Sequence, residues 1–427
     1  MNPFEHKSKE VEKYFMDWEK MYPKPYDKLK TSPYTKTRII LMNGTEYESN
    51  WFLHQLARNC NDNDVRRAIA LVRNQEQQQQ KRISCLKPID ENILETTIAY
   101  EQLAVDLTAI LAQNVNDENS KAALDFALLE DFDHLYRFSN LLKMDYNIDA
   151  DMMVGKFTEI MPGRPTINEH RHPIDNVRFC MNAKRADVYT KLVANIITAA
   201  EQQTMNYYMN ITSFATNDLA RKLYQEIALV EEEHVTQYGS LMDANATWLE
   251  MLLWHEYVEC YLYWSCYMTE TNPYVKTLWE QNLEMEISHL HKAVELLKKY
   301  DKKDWCEVIP DGDFPAPLSL HENIEYVRNI LGNTVQFTGD REDYTKVEDL
   351  EKDADFFKYQ ALINDPVGCV PSHFVIDSHI RRYGKDYRYE VAPNPVKELR
   401  QRACDNVEVG RVPNAAKSTD FSCNVKF

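Results

Sequence analysis

Long segments that mix apolar residues with Glu, Gln and Ala dominate the first 300 residues of the chain. No proline falls between Pro88 and Pro162 or between Pro173 and Pro273, and these windows are too long to be loops in a compact domain. Their residues are good helix formers. The pattern therefore predicts long helices arranged in antiparallel pairs, with short polar turns between the members of each pair.

The predicted helices form a short N-terminal pair followed by three long hairpins. Their bounds are 49–60 with 63–83, then 91–114 with 118–143, 184–213 with 217–243, and 246–269 with 273–300. A connection of about 40 residues, which holds Pro162, Gly163, Pro165 and Pro173, separates the first and second long hairpins.

Proline and glycine mark the two ends of the chain. We predict a mostly extended N-terminal arm over 1–48, a helical domain over 49–300, and a C-terminal extension over 301–427 wrapped on the helical body. The extension carries short helical patterns at 318–331, 349–363, 372–382 and 395–403, followed by an irregular tail.

Glycine is scarce, and its scarcity disfavours several enzyme classes. Only 10 of the 427 residues are Gly, and the chain contains no GxGxxG, GxxxxGK[ST] or GxSxG motif. Loops that bind phosphate need glycine so that backbone N–H groups can approach the anion. Nucleotide-binding α/β folds and α/β-hydrolases are therefore disfavoured.

Charge and cysteine content predict an acidic cytoplasmic protein. The chain has 67 Asp and Glu against 49 Lys and Arg, a net charge of −18, so neither nucleic acid nor a membrane is an expected partner. Nine cysteines without a CxxC pair predict reduced thiols, and the N-terminus has no apolar signal segment. The most apolar stretch, 248–268, contains Glu250, His255, Glu256 and Glu259, which predicts a buried helix rather than a membrane span.

The first long hairpin brings two carboxylates and an imidazole together. Glu101 and Asp131 are equally distant from the turn at residue 116, so they lie at the same height in an antiparallel pair. His134 follows Asp131 by three residues and therefore shares its helical face.

The second long hairpin repeats the pattern 100 residues later. Glu201 pairs with Glu231 across a turn at 216, and His234 follows three residues on. The local sequences agree as well, which indicates an internal duplication of one hairpin. Four carboxylates buried in one bundle would be costly unless cations neutralised them, and oxygen with imidazole donors suits iron or manganese.

This arrangement resembles the ferritin-like, rubrerythrin-like superfamily of di-metal carboxylate proteins. In that architecture two helices each give a Glu and two others each give Glu-x-x-His. The resemblance covers roughly residues 91–243, although Asp131 stands where the family usually has Glu and no rubredoxin-type CxxC module is present. It implies a ferritin-like bundle in which Asp131 and Glu231 bridge two metals. Glu101 and Glu201 would be terminal or bridging ligands, and His134 and His234 the terminal nitrogens.

A third hairpin carries the same spacing and leaves the assignment open. Glu256 pairs with Glu286 across a turn at 271, His289 follows three residues on, and Glu259 is a rival for Glu256. These residues are candidates for additional or alternative ligands. We prefer the first two hairpins, because the link to the third is too short for the crossover of a ferritin-like bundle.

The resemblance implies a di-metal oxidoreductase, with two iron ions preferred over manganese. The expected partners are dioxygen or peroxide, with an apolar small molecule as a candidate substrate and a homodimer as a candidate assembly. Tyr100, Tyr208 and Tyr238 are candidates to contact the ligands. Peroxide disproportionation at manganese is the second interpretation, and a non-enzymatic iron-binding or scaffold protein is the third.

Overall fold

A computed structural model describes residues 1–215 and 217–384 of the chain. These residues are mostly helical, which confirms the predicted all-α class. The helix predicted over 395–403 and the irregular tail lie outside the described residues.

Eight of the helices have 22 residues or more. In chain order the elements are α1 (Pro33–Asn59), α2 (Asn63–Ser84), α3 (Ile93–Asn114), α4 (Glu118–Tyr146), α5 (Ala150–Met153), α6 (Thr166–Glu169), α7 (Val188–Ile211), α8 (Asp218–Ser240), α9 (Trp248–Thr269), α10 (Pro273–Leu296), α11 (Trp305–Val308), α12 (Ile324–Thr334), β1 (Phe337–Asp340), β2 (Asp343–Lys346), α13 (Asp355–Ile363) and α14 (Pro371–Tyr383). The 3₁₀ turns are Pro3–Glu5, Val11–Tyr14, Pro173–Asn176, Thr212–Phe214, Val347–Asp349 and Asp365–Val367, and Leu297–Asp301 is a π-helical turn.

Local capping explains why the long helices begin close to where the sequence predicts. Asn92 and Glu95 form a reciprocal capping box at the start of α3, and Thr247 and Glu250 do the same for α9. Pro273 is the first residue of α10, as predicted from its fixed φ.

The N-terminal arm is shorter than predicted. Helix α1 begins at Pro33, so residues 33–48 are helical and not extended. A proline is tolerated at the first position of a helix, because its missing N–H has no partner there in any case. Pro33 therefore starts the helix that we had predicted to begin at residue 49.

The chain divides into two compact units, where we predicted one helical domain over 49–300. The first unit comprises Met1–Glu91, Met181–Gln203 and Met242–Leu320. The second comprises Asn92–Cys180, Thr204–Leu241 and the described residues from His321 onward. The third predicted hairpin, α9 with α10, therefore belongs to a different unit from α3 and α4.

Two hairpins build the first unit. Helix α1 pairs with α2 and α9 with α10, while α1 also contacts α9 and α2 contacts α10. The turns of α1 before residue 49 take part in this packing, because Arg38 donates to Thr269 and Tyr263 donates to Glu46.

The second unit is built on the hairpin of α3 and α4. Helix α8 packs against α4, α14 packs against both, and α12 packs against α4. Their shared core includes Phe132, Leu135 and Phe138 from α4, all fully or almost fully buried. Between α12 and α13 lies an antiparallel pair of strands, β1 and β2, which the sequence did not predict.

Two further observations bear on the sequence predictions. Cys369 is disulfide-bonded, which corrects the expectation that all thiols are reduced. Among the described residues, no helix combines the length and the apolar character that crossing a membrane requires.

Candidate metal centre

Five side chains with metal-ligand chemistry converge in the second unit. They are Glu101, Asp131, His134, Glu231 and His234, each at most 1% exposed. Candidate ligand atoms of Glu101, His134 and Glu231 lie within 4.8 Å of one another, and so do those of Asp131, Glu231 and His234. We call these five residues the second-unit cluster. Glu231 is common to both sets, which is the position expected of a bridging carboxylate.

Both imidazoles direct Nδ1 towards the carboxylates. His134 Nδ1 lies 3.0 Å from Glu231 Oε1, and His234 Nδ1 lies 3.2 Å from Glu231 Oε2 and 3.3 Å from Asp131 Oδ1. Burial, followed by the nearby Arg137 guanidinium, holds the pKa of His134 well below its usual value. A neutral imidazole with Nδ1 facing acidic oxygens is the form that binds a metal.

The other ring nitrogen of His234 is held by a flanking carboxylate. His234 Nε2 lies 2.8 Å from Glu130 Oε2. With Nε2 as the donor to this carboxylate, Nδ1 would be the nitrogen available to a metal. Glu130 also contacts Arg171 at 2.7 Å and Arg164 at 3.5 Å. Burial alone would raise the pKa of Glu130, but Arg171 and His234 outweigh it, so the net pKa is lowered and Glu130 is ionised.

The three tyrosines predicted beside the ligands differ in their contacts. Tyr208, which is fully buried, donates to Glu101 Oε1 at 2.5 Å. Tyr238 lies beside His234, with ring centroids 6.3 Å apart. Tyr100 stacks on Tyr207 with ring centroids 4.4 Å apart.

Glu201 lies on α7 and is 1% exposed. It belongs to the stretch of α7 in the first unit, whereas Tyr208 belongs to the stretch in the second. Because α7 is one continuous helix, the seven-residue spacing puts Glu201 two turns from Tyr208 on the same helical face. Its role as a ligand remains a prediction from the repeated hairpin.

A second set of buried ligand-type residues lies in the first unit. Candidate ligand atoms of Glu76, Glu256, Glu286 and His289 lie within 4.8 Å of one another, and so do those of Glu46, Glu76 and Glu259. We call these six residues the first-unit cluster. The predicted additional ligands Glu256, Glu286 and His289 therefore do come together, with partners from α1 and α2.

The pKa values in the first-unit cluster follow from burial and crowding. Burial raises the pKa of Glu256 and of Glu259 well above the usual value, and neighbouring carboxylates add to the rise. Burial disfavours the charged form of His289, but Glu76 and Glu286 outweigh it and raise its pKa well above its usual value.

Sequence reasoning missed Glu46, Glu76 and Gln79, although a signal was present. Thirty residues separate Glu46 from Glu76, as they separate Glu101 from Asp131, and the midpoint is residue 61 in the turn between α1 and α2. The signal was hidden because α1 was predicted to begin after Glu46. In addition, Gln79 stands where the other hairpins have a histidine.

Once this hairpin is included, the whole set repeats at one offset. A shift of 155 residues relates Glu46 and Glu76 of α1 and α2 to Glu201 and Glu231. The same shift relates the remaining positions: Glu101 to Glu256, Asp131 to Glu286 and His134 to His289. The chain thus contains a duplicated pair of hairpins, and not only the duplicated single hairpin that we predicted.

Comparison of the chain with protein-family models, with curated proteins and with solved structures found no match. What the clusters do is therefore argued from their geometry.

The long connection between α4 and α7 rests on the turn of α4 that carries Asp131 and His134. Gly163 N donates to Asp133 Oδ1 at 2.7 Å, and Arg164 N donates to the Leu129 carbonyl at 3.1 Å. A Cβ added at Gly163 would lie 2.4 Å from the Leu129 carbonyl oxygen and 2.9 Å from Asp133 N. Only glycine allows this approach to the helix backbone.

We expect Gly163→Ala to destabilise the protein by about 1–3 kcal/mol, because the clash is with backbone that cannot rotate away. Urea unfolding measures the change. Gly239→Ala is the matched control, since a Cβ there meets nothing within 4 Å and Gly239 lies in α8. An equal loss of stability in both variants would contradict the proposed close approach.

Proposed function

We propose that the second-unit cluster is a di-metal carboxylate centre of the ferritin-like type, preferentially di-iron, in an oxidoreductase that activates dioxygen or peroxide. The observation that carries the proposal is the convergence of two imidazole Nδ1 atoms on shared, buried carboxylates. Glu231 contacts both His134 and His234, as a bridging carboxylate between two ions would.

The donor set fits such ions. The nearby arginines pair with residues that flank the proposed ligands: Arg171 and Arg164 with Glu130, and Arg137 with Asp133 and Glu169. The carboxylates of Glu231 and Asp131 face imidazole nitrogen atoms, and that of Glu101 accepts from a tyrosine hydroxyl. Two divalent cations would offset the buried negative charge that these carboxylates carry when ionised.

When bound, two iron ions supply the redox equivalents that dioxygen or peroxide requires. Glu101, Asp131, His134, Glu231 and His234 would hold them, and Glu201 is the sixth predicted ligand.

The chain's own groups orient and protect this chemistry. Burial, with Glu101 close by, raises the pKa of Tyr208 well above its usual value, so the hydroxyl keeps its proton and donates to Glu101. Glu130 fixes the ring of His234, and its negative charge makes that imidazole a stronger ligand. The nearly complete burial of all five residues keeps bulk water from them.

Oxygen and imidazole donors also suit manganese, so disproportionation of peroxide is the second candidate function. The two candidates differ in the reaction they catalyse. An iron oxidase consumes dioxygen when reduced, whereas a manganese enzyme releases dioxygen from peroxide.

A crystal structure with anomalous scattering at the iron and manganese edges tests the proposal. We expect two ions among the five residues, and dioxygen uptake when anaerobically loaded Fe²⁺ protein is mixed with oxygen. Dioxygen release from peroxide by manganese-loaded protein would select the second candidate. Two bound ions with neither reaction would indicate a metal-binding protein without turnover, and the absence of ions at these residues would overturn the proposal.

A further inference from the structure

The first-unit cluster concentrates acidic side chains in a dry interior. Its members are Glu46, Glu76, Glu256, Glu259, Glu286 and His289, and each is at most 1% exposed. They come from all four helices of the two hairpins, α1, α2, α9 and α10. Five carboxylates and one imidazole therefore share a site that is closed to bulk solvent.

Some carboxylate oxygens of the first-unit cluster accept no hydrogen bond from the described residues. Both carboxylate oxygens of Glu259 are buried and accept no hydrogen bond, and the same is true of Glu256 Oε1. Glu259 nevertheless lies within 4.8 Å of Glu46 and Glu76, so its carboxylate faces the cluster. A buried carboxylate without a donor is costly, and a bound cation is the partner that such a site would take.

The first-unit cluster also reproduces the internal contacts of the second-unit cluster. Tyr263 donates to Glu46, as Tyr208 donates to Glu101. Each tyrosine also follows a buried glutamate by seven residues: Tyr263 follows Glu256, and Tyr208 follows Glu201.

The contacts of His289 resemble those of His234. His289 Nδ1 lies 3.2 Å from Glu286 and 2.8 Å from Glu76, while its Nε2 contacts Gln75 Oε1 at 2.8 Å. In the second unit, His234 Nδ1 faces Glu231 and Asp131 and Nε2 meets Glu130. Gln75 directly precedes Glu76, as Glu130 directly precedes Asp131.

We propose that the first unit holds a second metal centre, separate from the centre of the proposed function, which binds a hard divalent cation through Glu76, Glu256, Glu286 and His289. Glu46 and Glu259 supply further carboxylate oxygens. The proposal stands on the first unit alone and does not depend on the activity assigned to the second.

Two differences set the chemistry of this centre. Gln79 stands three residues after Glu76, where the other hairpins have a histidine, and it donates to Glu286. The site therefore has one imidazole instead of two. The neutral Gln75 contacts the Nε2 atom of His289, whereas Glu130 contacts that of His234, so His289 lacks the anionic partner that strengthens a histidine ligand. Because oxygen donors dominate, Mn²⁺ suits the site better than softer metals do. Loss of the anionic partner implies affinity about 10–100-fold below that of the second unit.

Manganese binding in four chains tests the inference: wild type, His289→Ala, His234→Ala and the double variant. Each is dialysed against Mn²⁺ alone and the bound metal is counted, with electron paramagnetic resonance to identify protein-bound ions. We expect two phases of manganese binding, a weaker one from the first unit and a tighter one from the second. His289→Ala should lose about one to two ions per chain from the weaker phase, and His234→Ala should lose the tighter phase.

His291→Ala is the matched control, because His291 lies on α10 two residues away and contacts Ser8 and Pro3. It is expected to keep the full manganese content. Circular dichroism of all variants separates loss of metal from loss of fold.

A gain-of-function variant tests the site without removing a ligand. Gln79→His restores the second imidazole, and we expect it to tighten Co²⁺ binding by about tenfold or more and to change the visible absorption of bound cobalt.

The outcomes separate this inference from the proposed function. Unchanged manganese in folded His289→Ala and no effect of Gln79→His would overturn the second centre, even if His234→Ala still lost its metal. Loss of metal in His289→Ala but not in His234→Ala would support the second centre and contradict the proposed function.

Discussion

Replacing His234 with alanine is expected to abolish tight metal binding in the second unit. His234 Nδ1 contacts both Glu231 and Asp131, so its loss removes the nitrogen donor that the two carboxylates share. Loss of a residue that only holds a ligand, such as Glu130, lowers metal affinity by about 10–100-fold. We expect loss of His234 itself to lower the metal affinity further. Glu130→Gln should therefore give a smaller loss than His234→Ala.

Metal content after dialysis against chelator-buffered Fe²⁺ measures the effect. His172→Ala serves as the control, because His172 lies in the long connection, where its ring accepts from Ile174 N. If His234→Ala retained its iron with unchanged affinity, the second-unit cluster would not be the centre.

The second large effect is expected for Arg171→Ala, which should lower the free energy of unfolding by about 3–5 kcal/mol. Arg171 is fully buried and contacts Glu130 at 2.7 Å and Glu233 at 3.2 Å. Removing it leaves the charge of Glu130 in the interior with the more distant Arg164, at 3.5 Å, as its guanidinium partner. Glu233 is affected less, because burial already raises its pKa well above the usual value despite Arg171.

Urea unfolding checks this prediction, with Arg221→Ala as the control. Arg221 has a side chain 54% exposed and pairs with Asp218 at 3.8 Å, so its loss should cost less than about 1 kcal/mol. Adding Glu130→Gln to Arg171→Ala should restore part of the stability, since an amide needs no counter-ion. A double variant no more stable than Arg171→Ala would show that the loss is not due to the stranded charge of Glu130.

The parts of the fold that could be predicted are those set by local signals in the sequence, such as helix caps and prolines. The caps at Asn92 and Thr247 and the proline at 273 fixed the starts of α3, α9 and α10, because each signal acts within one turn of helix. The start of α1 was wrong because Pro33 is compatible with both an extended arm and a first helical residue.

In the candidate site, too, the contacts within one helix were predictable and the contacts made by residues outside the helices were not. Helical spacing predicted that His134 and His234 would lie beside carboxylates on their own helices, and the contact between His234 and Glu231 confirms this for α8. Spacing could not reveal Arg171, because it comes from an irregular connection without periodicity.

The choice of hairpin partners was likewise beyond the sequence. Four hairpins share the thirty-residue separation, and nothing in that spacing says that α1 and α2 pair with α9 and α10. The decision is made by side-chain packing between helices that are distant in the chain.

The first hairpin of the chain packs against the last long hairpin, and the long helices of the second unit lie between them in the sequence. This order has a consequence for folding during synthesis. Helices α1 and α2 leave the ribosome first, but the hairpin that packs against them begins only at Trp248, after the long helices of the second unit have been made. At ~5–20 residues per second, the apolar face of the first hairpin waits roughly 10–30 s for cover. The first unit is therefore the part of the chain with the greatest need of chaperone protection, and the second unit should complete its long-helix contacts before it.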